Sequence, residues 1–231
     1  MGIAEALRAV QAQINNAAIR SGRDPAGVKL VAVSKTVDIK KVIEAMQAGA
    51  VIFGENRVQE AGKKITELRA QNTDIKTQWH LIGNLQKNKV RPAVELFDLI
   101  HSVDSSVLAE EINKHAGNLG KQQRVLVQVK LSDEATKHGI AEDSLMSLLS
   151  VISNMDHLRL EGLMTIPPYF EDPEMARPYF RKLRQLADKA VERGFTMHEL
   201  SMGMSNDFEV AIEEGATLVR VGTAIFGERF K

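Results

Sequence analysis

Short apolar runs and longer amphipathic stretches take turns along this chain almost from end to end. That alternation constrains the fold more than any other feature. The runs are KLVAVS (29–34), VIFGE (51–55), QWHLIG (78–83), DLIHSV (98–103), VLVQVKL (125–131), LRLEGLMTI (158–166), MHELSMG (197–203) and LVRVG (218–222). Between them, apolar residues recur at three- and four-residue spacing near 38–48, 57–70, 86–95, 105–117, 141–153, 173–193 and 205–214. Strands that alternate with helices imply a parallel sheet with right-handed crossovers. Eight such units in 231 residues fit a closed barrel. The opening segment MGIAEALRAVQAQI adds a helix with Ile3, Leu7, Val10 and Ile14 on one face. The predicted fold is α/β: a single (β/α)8 TIM-type barrel domain over 1–231, with an extra N-terminal helix covering the barrel bottom or flanking it. An open doubly wound sheet would offer a Gly-rich turn after its first strand. Here that turn is SKTVD, and no P-loop pattern occurs. The longest irregular stretch is PPYFEDPEMARP (167–178).

Composition removes several function classes. Hydrophobic residues make up 44% of the chain, enough for a sizeable core. Thirty basic side chains balance thirty acidic ones, so no cationic excess points to nucleic acid or an anionic membrane. Without cysteine there are no disulfides and no thiolate metal sites, which is compatible with a reducing compartment. The six histidines show no HxH or HExxH spacing, and no metal site is predicted. The N-terminus lacks the basic start and long apolar core of a signal peptide. Ala6 breaks the myristoylation pattern, and no apolar run is long enough to span a bilayer. The expectation is a cytoplasmic protein with no nucleic-acid or membrane partner.

Barrels of this kind carry their chemistry at the C-terminal ends of the strands. The first such end is Lys35, after LVAVS. Val31 and Val33 lie on the same strand face, and an amine above an apolar floor favours its neutral, nucleophilic form. Such an amine can condense with an aldehyde, although a strand-end lysine can also simply leave for solvent. After the seventh strand comes SMGMSND, and after the eighth VGTAIFG. Small residues let backbone N–H groups approach an anion, helix N-termini favour negative charge, and these two loops form the recurrent phosphate site of such barrels. Ser201, Gly203, Gly222 and Thr223 are the candidate phosphate cradle. The same residues also serve elsewhere as turn glycines and helix caps. Arg220 alternates with Val219 and Val221, so it points inward, toward either a ligand or an ion pair with Glu55 or Glu209. His80 alternates with Trp79 and either lines the pocket or sits satisfied in the core. An amine, a phosphate cradle and an inward arginine around one mouth suit a phosphorylated aldehyde. Pyridoxal 5′-phosphate (PLP) satisfies all three, with Lys35 as its aldimine partner and Arg220 facing the pyridine nitrogen.

Six segments in fixed order carry a wider likeness: SGRDPAGVKLVAVSKT, FGENRVQE, WHLIGNLQKNK, SDEATKHG, GLMTIPP and LSMGMSNDFEVAIEEGATLVRVGTAIFGER. Through them the chain resembles the pyridoxal phosphate homeostasis protein family, which is itself similar to the N-terminal barrel of alanine racemase. The resemblance implies that Lys35 is the Schiff-base lysine and that Arg220 faces the pyridine nitrogen. It implies phosphate contacts from Ser201, Met202 and Gly203 and from Gly222 and Thr223. Asn56 would line the cofactor pocket, and Lys137 would be a lysine outside the aldimine that handles a second PLP. Lys130 stands where many members have asparagine. The sequence stops at Lys231, directly after the barrel, where a racemase continues into a β domain carrying its catalytic tyrosine and dimer contacts. The resemblance therefore implies a monomeric PLP carrier with little or no turnover, passing PLP to apo-enzymes. A weak PLP-dependent racemase or lyase is the alternative. A cofactor-free Schiff-base aldolase acting on sugar phosphates is a third reading.

Overall fold

A computed structural model of the protein describes residues 2–70, 76–132, 134 and 138–228. Eight parallel strands follow one another around a closed barrel: β1 (Lys29–Val33), β2 (Ile52–Glu55), β3 (Gln78–Leu81), β4 (Leu99–Val103), β5 (Gln123–Gln128), β6 (Leu158–Met164), β7 (Glu199–Met204) and β8 (Leu218–Val221). The barrel closes where β8 pairs with β1, setting Val31 opposite Arg220. The helices are α1 (Ile3–Arg20), α2 (Ile39–Gln47), α3 (Val58–Ala70), α4 (Val90–Leu96), α5 (Ser106–Asn118), α6 (Leu145–Ser153), α7 (Arg177–Glu192), α8 (Phe208–Glu213) and α9 (Thr223–Phe226). The predicted barrel with its extra N-terminal helix is the observed architecture.

Alternation along the strands builds two apolar layers. Val31, Ile52, Leu99, Leu126, Met164 and Leu218 cluster inside the barrel. Phe53, Trp79, Ile100, Val125, Leu163 and Val219 belong to the larger layer beneath the helices. Helix α1 buries Ile3, Leu7, Val10 and Ile14 and packs on α8, α9 and α2, so it flanks the barrel beside the closing seam. Its spacing at i, i+4, i+7 and i+11 makes that stripe.

The two ends of the barrel differ in kind. At the N-terminal end of the strands, ion pairs seal the interior: Lys29 Nζ lies 2.5 Å from Glu199 Oε1, and Arg124 Nε 2.8 Å from Glu161 Oε1. Thr217 Oγ1 donates to the other Glu199 oxygen at 2.6 Å. The C-terminal end is left for a site.

The seventh strand departs from its sequence-predicted limits. It begins at Glu199 and runs to Met204, and its pairing with β8 slips between Ser201, opposite Leu218, and Met204, opposite Arg220. Three steps along β7 match two along β8, which is a β-bulge. Among the described residues no helix is long and apolar enough to cross a membrane.

Candidate functional site

A cavity of about 310 Å³ opens at the C-terminal ends of the strands. Val33, Ile82, Ile166 and Met204 supply its apolar walls. Lys35, Asn56, Arg220 and Thr223 bring polar groups to it, together with Ser205, Asn206 and Asp207. Closure of β8 on β1 is what brings Lys35 and Arg220 to one wall. Asn56 leaves β2 toward the cavity, backed by Gly83: a Cβ at Gly83 would lie 2.3 Å from the Asn56 carbonyl oxygen. A second cavity, of about 280 Å³, lies at the opposite end against Leu7, Lys29 and Ile52. Chemistry in barrels of this type belongs to the C-terminal face, so the mouth cavity is the candidate site.

Arg220 is 3% exposed, and a buried cation must find acceptors. Its Nη1 donates to Ser201 Oγ at 2.5 Å and its Nη2 to the Thr165 carbonyl at 2.9 Å. Below it a polar column runs down the barrel axis. Ser201 Oγ lies 2.8 Å from His101 Nδ1, and His101 Nε2 lies 3.0 Å from His80 Nδ1. Burial disfavours the imidazolium at both rings, and nearby cations add to it: His80 is pushed down to about 3, and His101 well below its ordinary value. Both are neutral at pH 7. Burial also lowers Arg220, to about 10, against the opposing influence of the Asp207 carboxylate, so the guanidinium stays charged at neutral pH. Burial raises Asp207, although its carboxylate accepts from the Met204 amide at 2.6 Å.

Three loops are laced together around the mouth. Ser205 Oγ accepts from the Gly222 amide at 3.2 Å, joining the loops after β7 and β8. Asn206 Nδ2 donates to the Phe170 carbonyl at 3.0 Å, which adds the loop after β6. Tyr169, on that loop, lines the cavity while 75% exposed. Helices α8 and α9 are too short to act as strong dipoles. The groups here able to donate to an anion are the Ser205 and Thr223 hydroxyls and the first amides of α9, which have no acceptor within the helix.

Lys35, Asn56, Arg220, Gly222 and Thr223 thus line one cavity. Four other candidates lie elsewhere. The Ser201 hydroxyl sits beneath Arg220 inside the barrel, and the His80 ring lies two hydrogen bonds deeper. Met202 is fully buried in the layer under the helices. Gly203 turns its α-carbon toward α8, with φ +89°; a Cβ there would lie 2.6 Å from Ala211 Cβ. The polar wall supplied by this loop is therefore Ser205–Asp207, displaced along the chain because the bulge carries β7 past Ser201. Neither proposed ion-pair partner meets Arg220: Glu55 is bonded to Lys64, and Glu209 to Arg20. Lys130 follows β5, its amide bonded to the Ile140 carbonyl at 2.9 Å, and is not among the cavity's lining residues. Lys137 lies outside the described residues. Sequence reasoning passed over Ser205, Asn206 and Asp207, although all three stand in the SMGMSND run. It also passed over Tyr169, inside the irregular stretch already noted. Among the described residues no three metal-ligating side chains gather.

The class of this closed barrel follows from its sequence match: residues 6–230 fit the family model described as "Alanine racemase, N-terminal domain". An alanine racemase from Clostridium difficile shares this fold, with a TM-score of 0.72 at 17% identity over 98% of this chain and 58% of that one. Nearer relatives narrow the class. The chain is 46% identical over 230 residues to a pyridoxal phosphate homeostasis protein of Aquifex aeolicus, covering 99% of both. It is 40% identical to the Escherichia coli K12 protein of that name, over 98% of this chain and 97% of that one. PipY of Synechococcus elongatus, solved with PLP bound, superposes with a TM-score of 0.84 at 40% identity, covering 97% and 100% of the two chains. This chain belongs to the pyridoxal phosphate homeostasis protein family.

Proposed function

We propose that this protein binds PLP at the barrel mouth, holds it covalently on Lys35, and serves PLP homeostasis by storing and releasing it with little or no turnover. The observation that carries this reading is one cavity lined by an amine, a guanidinium and two aliphatic hydroxyls, with apolar walls between them. The donor set fits the group: Ser205, Thr223 and the α9 amides suit a phosphate, while Val33, Ile82 and Ile166 suit the faces of a flat ring. PLP supplies an aldehyde, which condenses with a neutral amine to form one C=N bond and release one water. Lys35 presents that amine, Asn56 and Arg220 orient the ring, and the loops after β7 and β8 take the phosphate. Arg220 keeps its charge, so a ring nitrogen facing it stays unprotonated and accepts electrons poorly. That favours custody of the cofactor over turnover. The names of the relatives and the PLP in PipY support the same assignment. In this reading the protein acts as a cytoplasmic monomer, and its open mouth lets PLP pass to apo-enzymes.

The test is an absorption spectrum with PLP before and after borohydride, followed by mapping of the modified residue. Reduction should bleach the long-wavelength band and fix the adduct on Lys35, and Lys35→Ala should give neither band nor adduct. An adduct mainly on Lys130 or Lys137 in the unaltered protein overturns the assignment. A weak racemase or lyase is the second reading, drawn from the Tyr169 phenol at the cavity rim, where an acid or base could act.

A further inference from the structure

The backbone that carries Lys35 is held by a buried ionic cluster that does not reach the mouth cavity. Glu55, the last residue of β2, is 0% exposed, and Lys64 of α3 is 7% exposed. Lys64 Nζ lies 2.5 Å from Glu55 Oε1 and donates to the Ser34 carbonyl at 2.6 Å. The Ser34 hydroxyl donates to the same Glu55 oxygen at 2.7 Å. One helical turn before Lys64, Glu60 accepts the Thr36 amide and lies 3.5 Å from Lys64 Nζ.

These contacts have one geometric consequence. Two peptide groups flank Lys35, and α3 grips each of them. The Ser34 carbonyl belongs to the first, and Lys64 holds it. The Thr36 N–H belongs to the second, and Glu60 holds it. Between these grips the chain makes a tight turn, with the Val37 amide bonded back to the Ser34 carbonyl at 3.0 Å. Thr36 sits in this turn at φ +57° and is the one non-glycine residue at positive φ among those described. A β-branched residue is disfavoured there and stays only where its surroundings over-determine it. A buried ion pair is a weak source of stability compared with apolar residues of similar volume. Two carboxylates and an ammonium converge on a strained turn beside the candidate nucleophile, and none of the three lines the cavity. That arrangement is better explained by a demand for fixed geometry than by stability.

Resting on the assignment of Lys35 as the PLP lysine, we propose that Glu55, Glu60 and Lys64 are positioning residues. They clamp both peptide planes around Lys35 so that its amine is aimed at the aldehyde before the ligand arrives. None of them touches ligand; they act through the Ser34–Thr36 backbone. Displacing a reacting group by about 1 Å can cost on the order of 10²-fold in rate. Loosening the clamp should therefore slow capture of the aldehyde while leaving the cavity's grip on ring and phosphate intact.

Three variants test this. Glu60→Leu removes the acceptor for Thr36, and Glu60→Gln restores an acceptor without the charge. The double change Glu55→Gln with Lys64→Met frees the Ser34 carbonyl without stranding a buried charge. Each folded variant is measured in three ways: the rate at which PLP becomes borohydride-trappable on Lys35, the affinity for pyridoxamine 5′-phosphate, which has no aldehyde, and hydrogen exchange at the Thr36 amide without ligand. Glu60→Leu and the double variant should trap PLP at least about tenfold more slowly. Their pyridoxamine 5′-phosphate affinity should stay within about twofold, since the cavity lining is untouched. Thr36 exchange should accelerate about tenfold or more in Glu60→Leu, which loses a hydrogen bond to a charged group. Glu60→Gln should behave as the unaltered protein in all three. Unchanged trapping in both Glu60→Leu and the double variant overturns the clamp, as does a parallel loss of trapping and pyridoxamine 5′-phosphate affinity. Unaltered Thr36 exchange in Glu60→Leu overturns it without any ligand present. Failure of the underlying assignment shows separately, as an adduct off Lys35 in the unaltered protein.

Discussion

Single residues decide the electrostatics of this barrel. His80 and His101 are neutral because burial forbids their charge, whereas in the unfolded chain each would titrate near its ordinary value. Below about pH 6.5 the unfolded state binds protons that the folded state refuses, so stability is full above that value and falls as the pH drops. At pH 5.5 His80 should have removed about 1.3 kcal/mol relative to pH 7, with His101 acting in the same direction. Urea unfolding between pH 7.5 and 5.5 measures this slope, and His80→Gln should lessen it by about one proton. An unchanged slope would mean that the buried pair does not govern it. Thr223 makes a different demand, because it lines the cavity at the start of α9 and belongs to no strand. Thr223→Val should weaken PLP binding by about tenfold and leave the affinity for unphosphorylated pyridoxal alone. Equal losses for both ligands would remove Thr223 from the phosphate wall.

Among the elements, β7 holds the lesson about what could be read from the sequence. All eight strands and the order of the helices were legible, because alternation and helical spacing are local patterns. So was the inward direction of Arg220, which follows from its two valine neighbours. The contacts of Ser201, Met202 and Gly203 were not legible, since they depend on one extra residue in β7 relative to β8. A bulge is a property of the pairing, and neither strand shows it alone. The same holds for His80, whose Nδ1 contact with His101 joins two strands, and for Tyr169, whose loop is placed by Asn206. The bulge itself can be tested at Gly203. Gly203→Ala sets a side chain at φ +89° and drives it against Ala211. It should cost at least about 1–2 kcal/mol in denaturant unfolding. PLP should also bind more weakly, because α8 and the Ser205–Asp207 loop move together. A variant of native stability and affinity would show that the backbone there is free to relax.

At the scale of the whole molecule, the question is custody or catalysis. Proton abstraction at an amino-acid Cα needs a positioned acid or base, typically worth about 10²–10⁴-fold in rate, and an electron-accepting ring. In the proposed binding mode Arg220 withholds the second of these. Exchange of the Cα hydrogen of alanine or serine for deuterium should therefore be negligible with the PLP-loaded protein. Rapid exchange that is lost in Lys35→Ala and Tyr169→Phe would favour the racemase reading. The barrel's closure carries a further consequence, for synthesis. The amine follows the first strand, while the guanidinium and part of the proposed phosphate wall come from the last. A growing chain thus displays Lys35 before β8 has been made and the cavity around it can close. On the proposed reading, capture of PLP becomes possible only once β8 has left the ribosome and docked on β1, so occupancy reports a closed barrel.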